Sequence, residues 1–554
     1  MPPSAIAETV EAYWQGLLAA HPLVGTLTGD ERFDDLMPDL SERSRAASEV
    51  LHRGALDAIA RFDPDRLDEA ERLDAAVVVT IATRELEALE RAFARFDAGS
   101  QMGDAWVVCP GTLLTLLASI QRPRTPEGIA AYVRRLRAVP RFLDQCAELL
   151  READRAGGGQ PRIVLERTLG QVRRILTTPA AESPALRPVP MEAEASRAEV
   201  VEALQIVVLP AYGRLADQLA LSAERARKEP GLCGLRGGED LYRAHVRYWL
   251  SLDLAPDRLH ERGRSDLTAV ASEQAETARK LGYGSPAKAT QAYLHEHRGP
   301  GTRDELLADA RELVDRSWSA SKEIASRLPT ANCTVELVDP SREADVLGYY
   351  EPAAEGRPAV FFASGADVDS RPMHRLAAWV AHEANPGHHL QIALEREDTE
   401  RSAFRRFTND FASSAFVEGW GLYAERLGDE IGLYRDEFDR LGMLDQQAFR
   451  CARLVVDTGI HAFGWSRERA IETLVEAGSP RTEAEIEADR YAADPGQALT
   501  YRVGQLAIEA CRKRLVEPGD RDALVRYHDR VLKLGSLPLS TLERELTGGE
   551  FQLL

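Results

Sequence analysis

Apolar residues recur at three- and four-residue spacing through long stretches of this chain, at 67–95, 126–155, 197–228 and 259–280. That period leaves the α-helix as the element most of the chain can form. A helix with one apolar face has to bury it against another, so the first 300 residues read as packed helices. The breaks between them are Gly157-Gly158-Gly159-Gln160-Pro161, the Pro- and Ala-rich segment 177–190 and the Gly-rich segment 229–238. None has the length or polarity of a flexible linker. The 554 residues are therefore expected to form a single unit, with a helical N-terminal half over 1–300 and a second half over 301–554.

Between about 330 and 364 the texture changes. Segments 334–340 (TVELVDP), 345–352 (DVLGYYEP) and 358–364 (PAVFFAS) are short, β-branched and aromatic, and punctuated by Pro and Gly. They read as a small antiparallel sheet. Helical spacing resumes at 372. The expected fold is mainly α, with a small antiparallel β insertion over 330–364.

A formal net charge of -20 repels phosphate backbones and anionic lipid, so neither nucleic acid nor a membrane is an expected partner. Six cysteines stand far apart without a CxxC pair, which predicts reduced, mostly buried thiols rather than a disulfide framework or a thiolate metal site. The first 22 residues carry Glu8 and Glu11 within their apolar stretch and have no basic leader, so they read as an amphipathic helix. No window approaches the ~18–20 apolar residues of a membrane span. A cytoplasmic protein is expected.

The most specific motif is His382-Glu383-Ala384-Asn385-Pro386-Gly387-His388-His389, at the end of a segment, 372–385, with helical spacing. In the pattern HExxH, two histidines one turn apart share a zinc ion and the glutamate acts on a water molecule. Here Pro386 occupies the fifth position and His388 lies six residues after His382. On a straight helix, at ~100° per residue, it would face elsewhere. Pro386 cannot donate to the preceding turn and Gly387 relaxes the backbone, so a break at this point can turn His388 toward the metal. A third ligand is expected from a separate element, and Glu418 in the helical segment 416–428 (FVEGWGLYAERLG) is the candidate. Glu425, two turns on, is placed to support a ligating histidine. The pair His295 and His297, two residues apart, faces opposite ways and reads as a solvated loop edge.

HEANPGHHLQ and EGWGLYAE, with RLVVDTGIHAFGWSRERAI (453–471), PGQALTYRVGQ (495–505), YHDRVLKLGSLPLSTLE (527–543) and the N-terminal segment 13–41, make the chain resemble the bacterial domain-of-unknown-function 885 family over nearly its whole length. The resemblance implies a mostly helical fold with a deep central cleft, in the style of helical gluzincin peptidases. It also implies an HExxPGH zinc signature on His382, Glu383, Pro386, Gly387 and His388, with His389 a neighbour rather than a ligand.

Other residues are candidates for the chemistry around such a metal. Tyr501, which the resemblance brings near the cleft, can donate a hydrogen bond to an oxyanion. Arg502 is suited to two-pronged capture of a substrate carboxylate. His461 can stabilise an oxyanion or, alternatively, be a core histidine satisfied by Asp457. Arg490 with Tyr491, and Tyr349 with Tyr350 on a strand, are candidate substrate contacts; an edge strand, here 345–352 or 358–364, can pair with an extended substrate.

The expected activity is zinc-dependent hydrolysis of amide bonds in peptides or small amino-acid conjugates. Zinc would be held by His382, His388 and Glu418, with Glu383 as general base and Tyr501 and His461 as oxyanion donors. The same ligands would also serve a hydrolase or lyase in a specialised metabolic step. A catalytically silent binding scaffold is the third reading, and Glu383 beside its ligand counts against it.

Overall fold

The stretches with helical spacing form helices at Glu69–Arg91, Pro126–Ala156, Glu194–Ala203, Leu209–Arg225 and Pro256–Lys280. A π-helical turn, Leu204–Val208, joins the third to the fourth. Their starts are written in the sequence. Asp68 and Glu71 form a reciprocal capping box, and Pro126 sits in the first turn after the N-cap Thr125. The N-terminal helix Ala5–Ala20 buries Ile6, Val10, Tyr13, Trp14, Leu17 and Leu18, so it belongs to the core. The computed structural model describes residues 4–100, 106–296, 302–339, 343, 348–354, 357–366, 368 and 373–549. Of the spaced histidine pair, His297 lies outside them; so do residues 345–347 of the second expected strand. Among the described residues no helix is long and apolar enough to cross a membrane.

The chain divides into two compact units. The first comprises Met1–Ala244, Ile460–Arg467 and Glu487–Pro495; the second comprises His245–Gly459, Glu468–Ile486 and Gly496–Leu554. The sequence, read as one unit whose halves meet near 300, does not reveal this interleaving. Segments remote in the chain join a unit through packing, which leaves no mark on local spacing.

In the second unit, β1 (Thr334–Leu337), β2 (Gly348–Glu351) and β3 (Val360–Ala363) form a sheet in the order β1-β3-β2. β2 pairs with β3 antiparallel, as expected, but β1 pairs with β3 in parallel, which corrects the wholly antiparallel expectation. β3 is thereby central and is not an available edge. Phe361 of β3 is fully buried in one cluster with Val335, Leu313 and Val314 of the helix Arg303–Ser321, and Ala377 and Val380. The last two lie on the short helix Leu376–Glu383, which is apolar on nearly all sides. Its Ala378 packs with Met443, Leu444, Ala448 and Cys451 of the long helix Glu437–His461. A helix apolar all round is a core element, and this one carries His382 at its C-terminal end, anchored from two sides.

Candidate metal centre

The helix bearing His382 ends at Glu383, and a new helix, His388–Glu397, begins at His388. The break expected at Pro386-Gly387 is thus a turn between two helices. A side chain at Gly387 would strike the carbonyl oxygens of His382 and Ala381, so only glycine lets the chain fold back this tightly. Asn385 donates to the Asn332 side chain at 2.9 Å, and the Trp420 indole donates to the Pro386 carbonyl at 2.8 Å. The turn brings the His382 and His388 rings to 4.7 Å between centroids, nearly perpendicular.

Glu418 comes from the helix Asn409–Glu430. Its Oε2 lies 3.5 Å from His382 Nε2 and 3.7 Å from His388 Nε2. These separations exceed the ~2.7–3.2 Å of a good hydrogen bond. They approach the spacing of two ligands on one tetrahedral ion, about 3.3 Å when each bond is ~2.0–2.1 Å. His382, Glu383 and His388 also present ligand atoms within 4.8 Å of one another, so Glu383 too is within reach of the same point. Glu418 approaches both ring nitrogens, which makes it the better-placed candidate for a third ligand. One more feature of the EGWG segment serves the site. A side chain at Gly421 would meet His382 Nε2 at 2.7 Å, blocking the atom that faces Glu418.

The rest of the donor set fits a metal. His382 Nδ1 is bonded to Glu425 Oε1 at 2.9 Å, in a position with no solvent exposure. A carboxylate there fixes the ring and commits Nε2 to the ligand side. His388 Nδ1 is buried without a hydrogen-bond partner among the described residues. The electrostatics are those of charges gathered in a small buried space. Burial opposes protonation of His382, but Glu418 and Glu425 outweigh it and raise its pKa to about 9. Burial also works against a charged Glu418, yet His382 and His388 hold its carboxyl well below the usual range. Burial pushes the Glu383 carboxyl up, with His388 and His382 pulling the other way, Glu418 reinforcing the rise and Arg450 opposing it.

Tyr501, on the helix Thr500–Leu515, stacks beside His382 with 6.4 Å between ring centroids and 25° between planes. Tyr350 on β2 bonds through its hydroxyl to His389 Nδ1 at 3.0 Å. His389 Nε2 is bonded to the Ala331 carbonyl at 2.9 Å, so both ring nitrogens are committed to the protein. Tyr349 stacks on Phe362, its partner across the sheet.

The other sequence candidates have partners within the protein. Arg502 donates from Nε to Asp266 at 2.7 Å and from NH1 to Gln505 at 2.6 Å. Its fork is engaged within the protein, which removes the geometry of a substrate clamp. His461 and Arg490 belong to the first unit. His461 is fully buried, bonded at Nε2 to the Tyr491 carbonyl at 2.9 Å and stacked on Tyr242. Asp457, its expected partner, instead accepts from the Gly496 amide at 3.0 Å. Arg490 faces Glu487 at 3.3 Å. Sequence reasoning passed over Arg450 and Arg453, whose guanidinium carbons lie 5.8 and 4.1 Å from the Tyr501 ring centroid. A signal was present: Gln446, Arg450, Arg453 and Asp457 form a polar stripe at helical spacing through an otherwise apolar run.

The fold and these side chains define a class: mainly helical proteins carrying a buried histidine–glutamate cluster with the dimensions of a single-metal centre. The chain belongs to the bacterial family of unknown function DUF885, whose pattern matches residues 22–546. It is similar to the solved structure of the "putative lipoprotein from Colwellia psychrerythraea", at 23% identity and a TM-score of 0.88 over 98% of both chains. It is also similar to the "putative lipoprotein of unknown function from Shewanella oneidensis", at 17% identity and a TM-score of 0.75, over 99% of this chain and 100% of that one. Likeness at these identities establishes the fold. No curated protein matches.

Proposed function

We propose that this protein is a zinc-dependent hydrolase that cleaves amide bonds in peptides or small amino-acid conjugates. The reading rests above all on Glu418 Oε2, which lies at ligand-to-ligand distance from two histidine nitrogens. His382, His388 and Glu418 are the residues to hold the ion, and Glu425 orients the first of them. Zinc in such a site supplies Lewis acidity toward a carbonyl oxygen and lowers the pKa of water near it. Glu383, whose raised pKa suits a group that both accepts and returns a proton, takes the proton of the attacking water and delivers it to the leaving nitrogen. Tyr501, beside His382, is the donor for the oxyanion.

Metal analysis and turnover together test this. Purified protein should carry close to one zinc; His382→Ala and Glu418→Ala should each lose it with the fold intact. Glu383→Gln should keep the zinc while amide hydrolysis falls by ~100-fold or more. Full zinc occupancy in both ligand variants, or an active Glu383→Gln protein, would overturn the assignment. The proposal keeps the cytoplasmic setting expected from the sequence. Recovery of the protein in the membrane fraction of its cells would contradict that part.

A further inference from the structure

Beside the candidate centre stands Arg450, a buried guanidinium with one donor unpartnered among the described residues, and next to it a second arginine, Arg453. Both lie on the helix Glu437–His461, three residues apart and hence on one face. Arg453 places its guanidinium carbon 4.1 Å from the Tyr501 ring centroid and 4.5 Å from that of Phe449. Arg450 places its own at 5.8 and 5.1 Å from the same two rings. Tyr501 is in turn the ring stacked beside His382, so one aromatic ring neighbours both the two cations and the first candidate ligand histidine. Arg450 is 8% exposed; it donates through NH1 to Gln446, and its Nε is buried without a hydrogen-bond partner among the described residues. Glu383 is close enough to feel its charge.

A buried guanidinium donor without an acceptor, as at Arg450 Nε, carries a desolvation cost. An anion accepting from that donor relieves the cost, and Arg453 beside it adds a second positive charge. Aromatic faces beside the cations leave a planar anion the most natural guest, since a guanidinium fork matches a carboxylate edge with two parallel bonds.

We propose that Arg450 and Arg453 form the subsite for a free carboxylate of the substrate. With Tyr501 neighbouring both the arginines and His382, that carboxylate lies close to the scissile amide, as in a peptide cut near its C-terminus or an N-acyl amino acid. The role that the sequence suggested for Arg502 falls instead to this pair. The fate of the bound substrate rests on the hydrolase reading; its capture by the arginines does not.

The test uses two pools of random N-acetylated tripeptides, one of free acids and one of C-terminal amides. Zinc-loaded Glu383→Gln protein is equilibrated with each pool, and retained peptides are quantified by mass spectrometry. Free acids should be retained about 10- to 100-fold better than amides, the range for hydrogen bonds to a charged group. Arg450→Gln and Arg453→Gln in the same background should lose most of that preference with zinc content unchanged. Arg450→Lys, which keeps the charge and loses the fork, should retain part of it and covers the case in which a glutamine variant fails to fold. Equal retention of acids and amides by the parent protein, none of either included, overturns the subsite. An acid preference unchanged in the arginine variants overturns it too. Native protein assayed on the same pools separates the two proposals. Acids retained but never cleaved would leave the subsite standing and remove the hydrolase; acids and amides cleaved alike would do the reverse.

Discussion

Replacing Glu425 by glutamine alters one atom and one charge at a position with no solvent exposure. In the native protein Glu425 accepts twice. Oε1 is bonded to His382 Nδ1 at 2.9 Å, and Oε2 accepts from the Gln447 amide at 3.4 Å. A glutamine has one acceptor oxygen for two neighbours that both donate, so one bond is lost or the Gln447 amide has to flip. That flip is opposed further along. Gln447 Nε2 also donates to the Leu422 carbonyl, and its Oε1 accepts from Gln505 Nε2 at 3.1 Å. Gln505 is pinned as well, donating to Glu509 at 3.0 Å and accepting from Arg502 at 2.6 Å. The loss is that of a charge-assisted bond, ~1.5–3 kcal/mol, or zinc binding weakened by ~10- to 100-fold. A competition titration against a fluorescent zinc chelator at fixed pH measures it. The melting curve of the metal-free variant checks that the fold survives. Zinc affinity within about threefold of native would show that the carboxylate does not set the metal-binding state of His382, and the argument for its supporting role would fail.

The remaining predictions follow from which side chains are already committed. His388→Ala should abolish stoichiometric zinc binding, whereas His389→Ala, which removes a ring bonded at both nitrogens to Tyr350 and Ala331, should lower the melting temperature and leave zinc in place; metal analysis beside a thermal melt decides between them. Arg502→Lys should cost stability, on the order of 1–3 kcal/mol for a part-buried pair with Asp266, and leave KM for carboxylate-bearing substrates unchanged. His461→Ala should likewise destabilise by ~2–3 kcal/mol in denaturant titration without changing zinc content, since it removes a buried ring stacked on Tyr242.

Much of this protein is legible one segment at a time. Helical spacing and caps mark elements such as Glu69–Arg91 and Pro126–Ala156, because a helix is stabilised by contacts within a few residues of each other. The same locality makes the turn at Pro386-Gly387 readable, and with it the pairing of His382 with His388. Glu418 and Glu425 are identifiable as partners because they recur two turns apart on one helix. What the sequence leaves undetermined is every choice made by neighbours remote in the chain. The parallel pairing of β1 with β3 depends on where the chain returns after β2. Arg502 looked available for a substrate until Asp266, some 236 positions away, accepted from its Nε and Gln505 from its NH1. His461 looked catalytic until the fold bonded it to the Tyr491 carbonyl, and Arg450 and Arg453 looked like one more helix face until Tyr501 brought them beside His382. A charged side chain's role is set by which partner reaches it first in three dimensions, and residue spacing along a helix carries no record of that contest.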